Sequence, residues 1–237
     1  MRVISGKYKG KKFQAPHHIR PTQDMVKKAL FDILGDVEGL SFLELFAGTG
    51  SVGMEGLSLG VKKAVFVEKD RQCVKCIQQN LDSLVLRTLK YESSIPDFKS
   101  KTLKLEQALN ALAGNKESQI EVINKDVLDV IPLFFRNKQH FDIIFLDPPY
   151  YKQNRAGTAH AAGFLPLPES SVNTVHPDES LTKKTLQILG AYDILTPYGF
   201  VIVQHFKRDS VLERYGALKL LRQSMYGDTV LSFYQKN

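Results

Sequence analysis

The sequence predicts an α/β fold built around a mostly parallel β-sheet. Apolar, strand-like segments alternate with amphipathic helical segments along most of the chain, and a glycine-rich turn joins the first of these strands to the helix after it. The last two strand-like segments are joined by a short turn instead of a helix. Alternation indicates parallel strands with crossover helices, whereas the short turn indicates a closing antiparallel hairpin.

Composition sets the class of protein before any motif is considered. The 237 residues are enough for one large α/β domain, and 43% hydrophobic with 24% charged residues is typical of globular proteins. No apolar run approaches the ~20 residues that span a bilayer, and the first residues lack the apolar core of a signal peptide. We therefore expect a cytoplasmic protein without a membrane segment.

Residues 1–28 carry the whole excess of positive charge. They contain eight Lys and Arg residues against one Asp, and the net charge of the chain is +7. Tyr8 and Phe13 interleave with the lysines of residues 1–14, which form a basic ribbon with Arg2, Lys7, Lys9, Lys11 and Lys12. The ribbon predicts contact with a nucleic-acid backbone, and a solvated tail is the alternative.

The spacing of apolar residues predicts each helix and strand, and residues typical of helix ends place the boundaries of the first helix. Residues 1–14 are predicted to be extended with a turn at Ser5 and Gly6, and Thr22 is the predicted N-cap of a helix that Gly35 ends. Strands are predicted over residues 42–46, 63–68, 120–124, 141–146 and 199–205. Helices are predicted over residues 51–59, 70–84 and 181–193. The closing hairpin pairs residues 217–225 with residues 229–235.

Two segments interrupt this alternation, at about residues 87–119 and 151–180. The second is rich in Gly, Pro, Ser, His and Ala, which is typical of a long functional loop or of a disordered one. We divide the chain into residues 1–36, the basic ribbon with its helix, and residues 37–237, a catalytic domain that contains both inserts.

The glycine-rich turn lies within residues 43–53. Gly48, Gly50 and Gly53 have the spacing of a dinucleotide-binding fingerprint, and Glu68 ends the next strand twenty positions after Gly48. A carboxylate at that place can accept hydrogen bonds from two ribose hydroxyls. The pattern predicts a cofactor that contains a nucleoside, and glycines that serve only helix packing are the alternative.

Acidic residues at the strand ends favour S-adenosylmethionine over NAD. Glu44, Asp126 and Asp147 are predicted at the same sheet edge, where they would attract a sulfonium and an ammonium group but repel a pyrophosphate. Asp126 could also accept from the adenine amino group. The alternative for each carboxylate is a solvated charge at the end of a strand.

The tetrad Asp147-Pro148-Pro149-Tyr150 directly follows the apolar strand at residues 141–146. Asp147 and the main-chain carbonyl of Pro148 can accept the two hydrogens of an exocyclic amine, which exposes the nitrogen lone pair. Prolines stiffen the turn, and Tyr150 can stack on an extruded base. The tetrad resembles the signature of enzymes that methylate an exocyclic amine of a nucleobase, and a turn with a packed tyrosine is the alternative.

The chain resembles the RsmD-type 16S ribosomal RNA guanine-N2 methyltransferases. The resemblance covers most of the chain and rests on residues 1–12, Arg20-Pro21-Thr22, residues 43–59, Phe66-Val67-Glu68, the tetrad and Tyr226-Gly227-Asp228. It implies a Rossmann-like class I methyltransferase fold: a mostly parallel seven-stranded sheet with helices on both faces, a C-terminal antiparallel hairpin and a small N-terminal basic extension.

The resemblance also implies a function and a set of site residues. The donor would be S-adenosylmethionine and the target a guanine N2 amine in ribosomal RNA or an assembling small subunit. Apart from the resemblance, we expect a monomer. Glu68 would bind the ribose, the tetrad the base, and the basic ribbon with Arg20 and Thr22 would face RNA. The methionine part would lie on the loop formed by Phe46, Ala47, Gly48, Thr49 and Gly50. The two inserts depart from the family, as does Tyr150, where Phe is frequent.

Two other hypotheses use the same residues. A DNA adenine-N6 methyltransferase would share the tetrad, but such enzymes usually carry a separate recognition domain, and the N-terminal signature favours ribosomal RNA. A non-catalytic RNA-binding protein for ribosome assembly would not need the intact tetrad and glycine loop. Cys73 and Cys76 form a Cys-x-x-Cys pair within a predicted helix, which we interpret as reduced thiols, and we expect no metal site.

Overall fold

The computed structural model describes residues 1–16, 22–92, 119–149 and 180–237. Arg20, Pro21, Tyr150 and most of both inserts lie outside the described residues. The helices are α1 Asp24–Leu34, α2 Ser51–Ser58, α3 Arg71–Glu92, α4 Val127–Arg136 and α5 Leu181–Ala191. The strands are β1 Ser41–Leu45, β2 Lys63–Glu68, β3 Gln119–Asn124, β4 Phe141–Leu146, β5 Leu195–Phe206, β6 Arg214–Tyr215, β7 Leu218–Tyr226 and β8 Thr229–Lys236.

One sheet with the strand order β3-β2-β1-β4-β5-β8-β7-β6 forms the centre of the molecule. Strands β1 to β5 are parallel, whereas β6, β7 and β8 pair in antiparallel fashion. The predicted fold class, a mostly parallel sheet with a C-terminal hairpin, is therefore confirmed. The described sheet has eight strands instead of the predicted seven, because β6 is only two residues long and leaves no periodic pattern.

Several elements differ from the sequence predictions, and α3, predicted over residues 70–84, extends to Glu92. The N-cap of α1 is Gln23 and not Thr22, and Asp24 places its negative charge in the first turn, where the helix dipole favours it. Helix α4, which was not predicted, is short and contains Pro132. Strand β5 begins at Leu195, before the predicted position 199, and its register with β4 shifts at a bulge.

The sheet separates two apolar layers. One layer lies between the sheet and α1, α2 and α3, and it contains Phe42, Phe66 and Phe145. The other lies between the sheet and α4 and α5, and it contains Leu45, Phe141 and Val203. Residues alternate between the two faces along each strand, so successive side chains of one strand lie in different layers. Side chains in the same layer therefore border the site from the same side of the sheet.

The basic ribbon packs into the first of these layers. Val3, Tyr8 and Phe13 are buried there, and Arg2 and Lys12 form a β-bridge that closes the ribbon into a loop. The two aromatic rings therefore belong to the core and not to the outer surface of the ribbon. The lysines between them are left to project from a part of the chain that is fixed in place.

Helix α2 holds the ribbon through two polar side chains. The buried carboxylate of Glu55 accepts hydrogen bonds from the main-chain N–H groups of Ile4 at 2.9 Å and Ser5 at 2.7 Å, and the Nζ atom of Lys27 lies 3.8 Å from it. Ser58 accepts from the Tyr8 N–H at 2.9 Å through its hydroxyl. Buried polar groups that are paired in this way fix the path of the ribbon.

Gly6 brings the backbone of the ribbon against the end of α2. It has a φ of 73°, and a Cβ atom there would lie 2.0 Å from the carbonyl oxygen of Ser58. Gly10 has a similar φ of 81° but nothing within 4 Å of the same position. We expect Gly6→Ala to lower the free energy of unfolding by about 3 kcal/mol or more, because a steric clash adds to backbone strain.

Gly10→Ala is the matched control, with an expected loss of only about 1–2 kcal/mol from the left-handed backbone. Urea unfolding followed by circular dichroism measures both values. Equal losses in the two variants would mean that the approach of Gly6 to Ser58 does not hold the ribbon.

Candidate active site

The candidate site lies at the carboxyl ends of the parallel strands. Strand β1 is flanked by β2 on one side and by β4 on the other, so the chain reverses its winding direction between β1 and β4. A crevice outside the strand ends at such a reversal is where α/β sheets bind ligands. Glu68 ends β2, the glycine loop follows β1, and Asp147 follows β4.

The glycine loop is a tight turn whose backbone requires left-handed conformations. Phe46, Gly48 and Gly50 have φ values of 57°, 54° and 72°, and Gly50 is the residue that precedes α2. The Ala47 N–H donates to the carbonyl oxygen of Val67 at 3.0 Å, which ties the loop to β2. Gly53 is needed for space: a Cβ atom there would lie 2.5 Å from the Phe66 ring.

Glu44 lies beneath this loop. Its buried carboxylate accepts hydrogen bonds from the N–H groups of Val52 at 3.3 Å and Gly53 at 2.8 Å, the first amides of α2. Burial raises the pKa of Glu44 to about 8, and the charge of Asp147 adds to the increase, while these two hydrogen bonds oppose it. Glu44 therefore ties the loop to the first turn of α2, and its carboxyl group lies beneath the crevice.

Glu68 connects the loop to the end of β2. One carboxylate oxygen accepts from the Gly48 N–H and the other from the Asp70 N–H, both at 2.8 Å. Each carboxylate oxygen has a further lone pair, so this arrangement leaves capacity for two hydroxyl donors. The side chain is 9% exposed, which leaves an accessible edge.

Asp126 lies at the start of α4 beside the end of β2. Its carboxylate accepts from the Leu128 N–H at 3.0 Å as the helix cap, and the Nζ atom of Lys69 lies 3.7 Å away. The side-chain amide of Asn124 donates to the carbonyl oxygens of Glu68 and Lys69, both at 3.0 Å. Asn124 thus holds the ends of β2 and β3 together, a role that the sequence did not indicate.

Asp147 is positioned by a residue that the sequence analysis missed. The side-chain amide of Gln204 on β5 donates to the Asp147 carboxylate at 2.9 Å. The pKa of Asp147 is raised to about 7, because the effect of burial exceeds the opposing effect of the hydrogen bond from Gln204. Pro148 is buried and Pro149 exposed. A polar residue near the carboxyl end of an apolar strand, next to the strand that carries the tetrad, is the signal that could have identified Gln204.

The ribbon runs from the candidate site toward the far end of α2. At its base, the Asn80 side chain bonds both Gln14 and the Thr49 carbonyl oxygen, which places the ribbon beside the glycine loop. At its tip, the Lys7 N–H donates to the carbonyl oxygen of Ser58, the last residue of α2. Arg2 and Lys12, at the bridge, therefore lie nearer the crevice than Lys7 and Lys9 do.

The residues that the sequence predicts to contact RNA differ in their surroundings. Arg2 pairs with Asp24 at 3.2 Å, and Lys7 lies over the Tyr8 ring at 5.6 Å. Lys11 continues the ribbon next to the bridge. Thr22 is half-buried ahead of α1, and Arg20 lies outside the described residues.

The cysteines are free thiols, as predicted. Cys73 and Cys76 are buried in α3, burial raises the pKa of both, and Cys76 donates to the carbonyl oxygen of Gln14. Within the described ranges, no cluster of three or more His, Cys, Asp or Glu side chains could hold a metal ion. No helix in the described part of the chain has the length and apolar character to cross a membrane.

A cavity of about 360 Å³ opens beside β5 and the closing hairpin, lined in part by His205, Lys207 and Met225. His205 follows Gln204 directly, so its side chain projects from the opposite face of the sheet. Its ring bonds the Ser232 hydroxyl at 2.8 Å. The cavity is therefore separated by the sheet from Glu44 and Asp147, and we do not assign it to the candidate active site.

Comparison with known proteins places the chain among methyltransferases. The "Putative rRNA methyltransferase YlbH" of Bacillus subtilis is 28% identical over 100% of this chain and 99% of its own length. The "Ribosomal RNA small subunit methyltransferase D" of Haemophilus influenzae is 32% identical over 64% of each chain. Among solved structures, "Putative methyltransferase yhhF" from Escherichia coli shares the fold with a TM-score of 0.64 and 21% identity, covering 100% of this chain and 98% of the other.

A family model supports the same assignment. The model described as "Conserved hypothetical protein 95" matches residues 1–113 and 99–162, more than half of the sequence. The matched region includes the basic ribbon, the glycine loop and the tetrad. The chain therefore belongs to the Conserved hypothetical protein 95 family, and its predicted resemblance to the RsmD-type methyltransferases is confirmed.

Proposed function

We propose that this protein transfers a methyl group from S-adenosylmethionine to the exocyclic N2 amine of a guanine in small-subunit (16S) ribosomal RNA. The observation that carries the proposal is the half-buried carboxylate of Asp147, held by Gln204 at the sheet edge that also bears the glycine loop. The names of the relatives, ribosomal RNA methyltransferases, support the substrate class. We expect the protein to act on ribosomal RNA or an assembling subunit, in the cytoplasm and as a monomer.

The described residues fit S-adenosylmethionine. Buried Glu44 beneath the loop and half-buried Asp147 at the crevice both have raised pKa values, so a cation above them would favour their ionised forms. Glu68 has lone pairs left for ribose hydroxyls, and the loop from Phe46 to Gly50 would lie along the methionine part. Asp126, which precedes α4 and pairs with Lys69, would accept from the adenine amine.

The tetrad would act on the amine nitrogen of the base. When bound, S-adenosylmethionine supplies an electrophilic methyl group on a positively charged sulfur. Asp147 and the Pro148 carbonyl would accept the two amine hydrogens, which localises the nitrogen lone pair and directs it toward the methyl group. Positioning of this kind supplies much of the rate of a group transfer. Tyr150 would stack on the base and hold its plane.

An Asp147→Ala variant tests the proposed role of this carboxylate. We expect methyl transfer to assembling small subunits to fall by about 10³-fold or more, because the amine loses its acceptor, while the affinity for S-adenosylmethionine stays within about threefold. Tritium transfer and isothermal calorimetry measure the two quantities. Asp82→Ala, an exposed carboxylate on α3, is the control and should behave as wild type. Full activity of Asp147→Ala would remove the tetrad from the reaction.

The pH dependence of cofactor affinity tests the buried carboxylates. Because the pKa values of Glu44 and Asp147 are raised to about 8 and about 7, both groups are partly protonated at neutral pH and ionise as the pH rises. The ionised forms attract the sulfonium, so we expect the ratio of S-adenosylmethionine to S-adenosylhomocysteine affinity to increase between pH 6 and pH 9 by about fivefold or more.

The product S-adenosylhomocysteine is a suitable reference because it has the same ammonium and carboxylate groups but a neutral sulfur. The ratio therefore isolates the sulfonium from other titrating groups of the ligand. A ratio that is constant with pH would mean that the buried carboxylates do not face the sulfur.

Charge neutralisation tests the ribbon as the RNA-binding surface. Replacing Lys7, Lys9, Lys11 and Lys12 with Gln should weaken binding to ribosomal RNA and reduce the slope of log K against log salt, since fewer counterions are released. The control replaces Lys62, Arg136 and Lys138, which lie near the opposite, amino edge of the sheet. Fluorescence anisotropy from 50 to 300 mM salt measures the slopes. If the control set reduces the slope and the ribbon set does not, RNA binds elsewhere.

A further inference from the structure

We propose that Gln204 is a positioning residue that holds Asp147 in both its ionised and its protonated form, so that Asp147 can accept the proton released by the methylated amine. This inference rests on the proposed function. It assigns a role to a residue outside the tetrad and the glycine loop, and it accounts for a buried polar atom that has no partner among the described residues.

The two side chains are placed side by side by the sheet. Leu146 at the end of β4 pairs with Val203 on β5, so the next residues along the two parallel strands, Asp147 and Gln204, are neighbours. The Nε2 atom of Gln204 lies 2.9 Å from the Oδ2 atom of Asp147. Gln204 is 6% exposed, and its strand neighbour on the other side, β8, places Leu231 opposite it.

The other end of the Gln204 amide is not hydrogen-bonded. Its Oε1 atom is buried and is the single buried side-chain polar atom without a partner in the described part of the chain. Burying an acceptor without a hydrogen-bond donor is unfavourable, so an amide in this position needs an explanation.

Rotation of the amide by 180° about its last side-chain bond exchanges its two ends. The Nε2 atom bonds Asp147 in one orientation, and the Oε1 atom would face Asp147 in the other. In both orientations one end meets Asp147 and the other end has no partner among the described residues, so the rotation breaks no hydrogen bond except the one to Asp147. The protonation state of Asp147 then decides between them, because an ionised carboxylate only accepts whereas a protonated one also donates.

The proposed reaction requires Asp147 first in its ionised form and then in its protonated form. The amine nitrogen uses its lone pair to form the new bond to the methyl carbon, and the pair of the breaking carbon–sulfur bond stays on sulfur, which becomes a neutral thioether. The nitrogen is then positively charged and still carries two hydrogens. Transfer of one of these protons to the Asp147 carboxylate leaves a neutral methylated amine and a protonated Asp147, whose new O–H would donate to Gln204 Oε1.

The burial of Asp147 favours such a change near neutral pH. Burial raises the pKa of Asp147 to about 7, so neither form is strongly disfavoured. Glu44 on β1 is the acidic neighbour that interacts with Asp147, and Lys27 on α1 acts on Glu44 from the same layer. His205 on β5 projects from the opposite face, and Leu231 on β8 does not ionise.

Gln204→Met tests the proposal, because methionine preserves the volume and removes both polar ends. In the free protein, ¹³C NMR of the Asp carboxyl carbons should show the Asp147 titration moved up by about one pH unit, the equivalent of one hydrogen bond to a charged group. The acidic limb of the single-turnover rate of methyl transfer should move up equally. At high pH the rate should remain about tenfold below wild type, because the protonated Asp147 has no acceptor.

A purely structural role for Gln204 would lower the rate equally at every pH and leave the titration of Asp147 in place, and that result would overturn the proposal. If Gln204→Met does not fold, the isosteric Gln204→Glu variant replaces it. Two adjacent carboxyl groups share one proton, so the acidic limb should then move up further, and an unchanged limb would again contradict the proposal.

The two readouts separate this inference from the proposed function. If the Asp147 titration shifts but the wild-type protein methylates no RNA, the pairing of Gln204 with Asp147 stands. The proposed reaction and its proton transfer are then wrong. Normal RNA methylation with an unshifted titration would retain the function and reject the role of Gln204.

Discussion

Glu44 carries a carboxylate whose burial is offset by two amide donors at the start of α2, and the rest of the site is built around that arrangement. The amides fix where the helix begins, and this fixes the left-handed loop before it. Gly53 is required because the Glu44 carboxylate and the Phe66 ring leave no room for a Cβ atom. Asp147 also contributes to the raised pKa of Glu44, so the carboxyl group beneath the loop and the proposed catalytic carboxylate interact electrostatically.

A second buried carboxylate, Glu55 on α2 itself, applies this principle to the ribbon. Glu55 binds main-chain amides of residues 4 and 5 and lies close to Lys27, so α2 sets both the glycine loop at its start and the basic ribbon along its length. One short helix thereby fixes the distance between the proposed cofactor site and the proposed RNA-binding surface. The aromatic residues of the ribbon belong to the core, so the lysines project from a segment that packs against the rest of the fold.

Periodicity and turn chemistry were enough to predict the parallel sheet, the glycine loop and the closing hairpin, because each depends on neighbouring residues. Long-range pairing was not predictable. Glu44 was expected to line the crevice but caps α2 from below, and Gln204 was missed because only strand pairing places it beside Asp147. Tyr8 and Phe13 were interpreted as part of an RNA-facing ribbon, since sequence alone does not reveal which face of a ribbon is buried.

The central claim, that the edge holding Asp147 directs methylation to a guanine amine, is tested most directly by identifying the modified nucleoside. Small subunits from a strain lacking the protein would be incubated with the purified protein and labelled S-adenosylmethionine, and the 16S RNA digested and analysed by mass spectrometry. The account predicts N2-methylguanosine at one position. Label in N6-methyladenosine, or label in added DNA and none in the RNA, would contradict it.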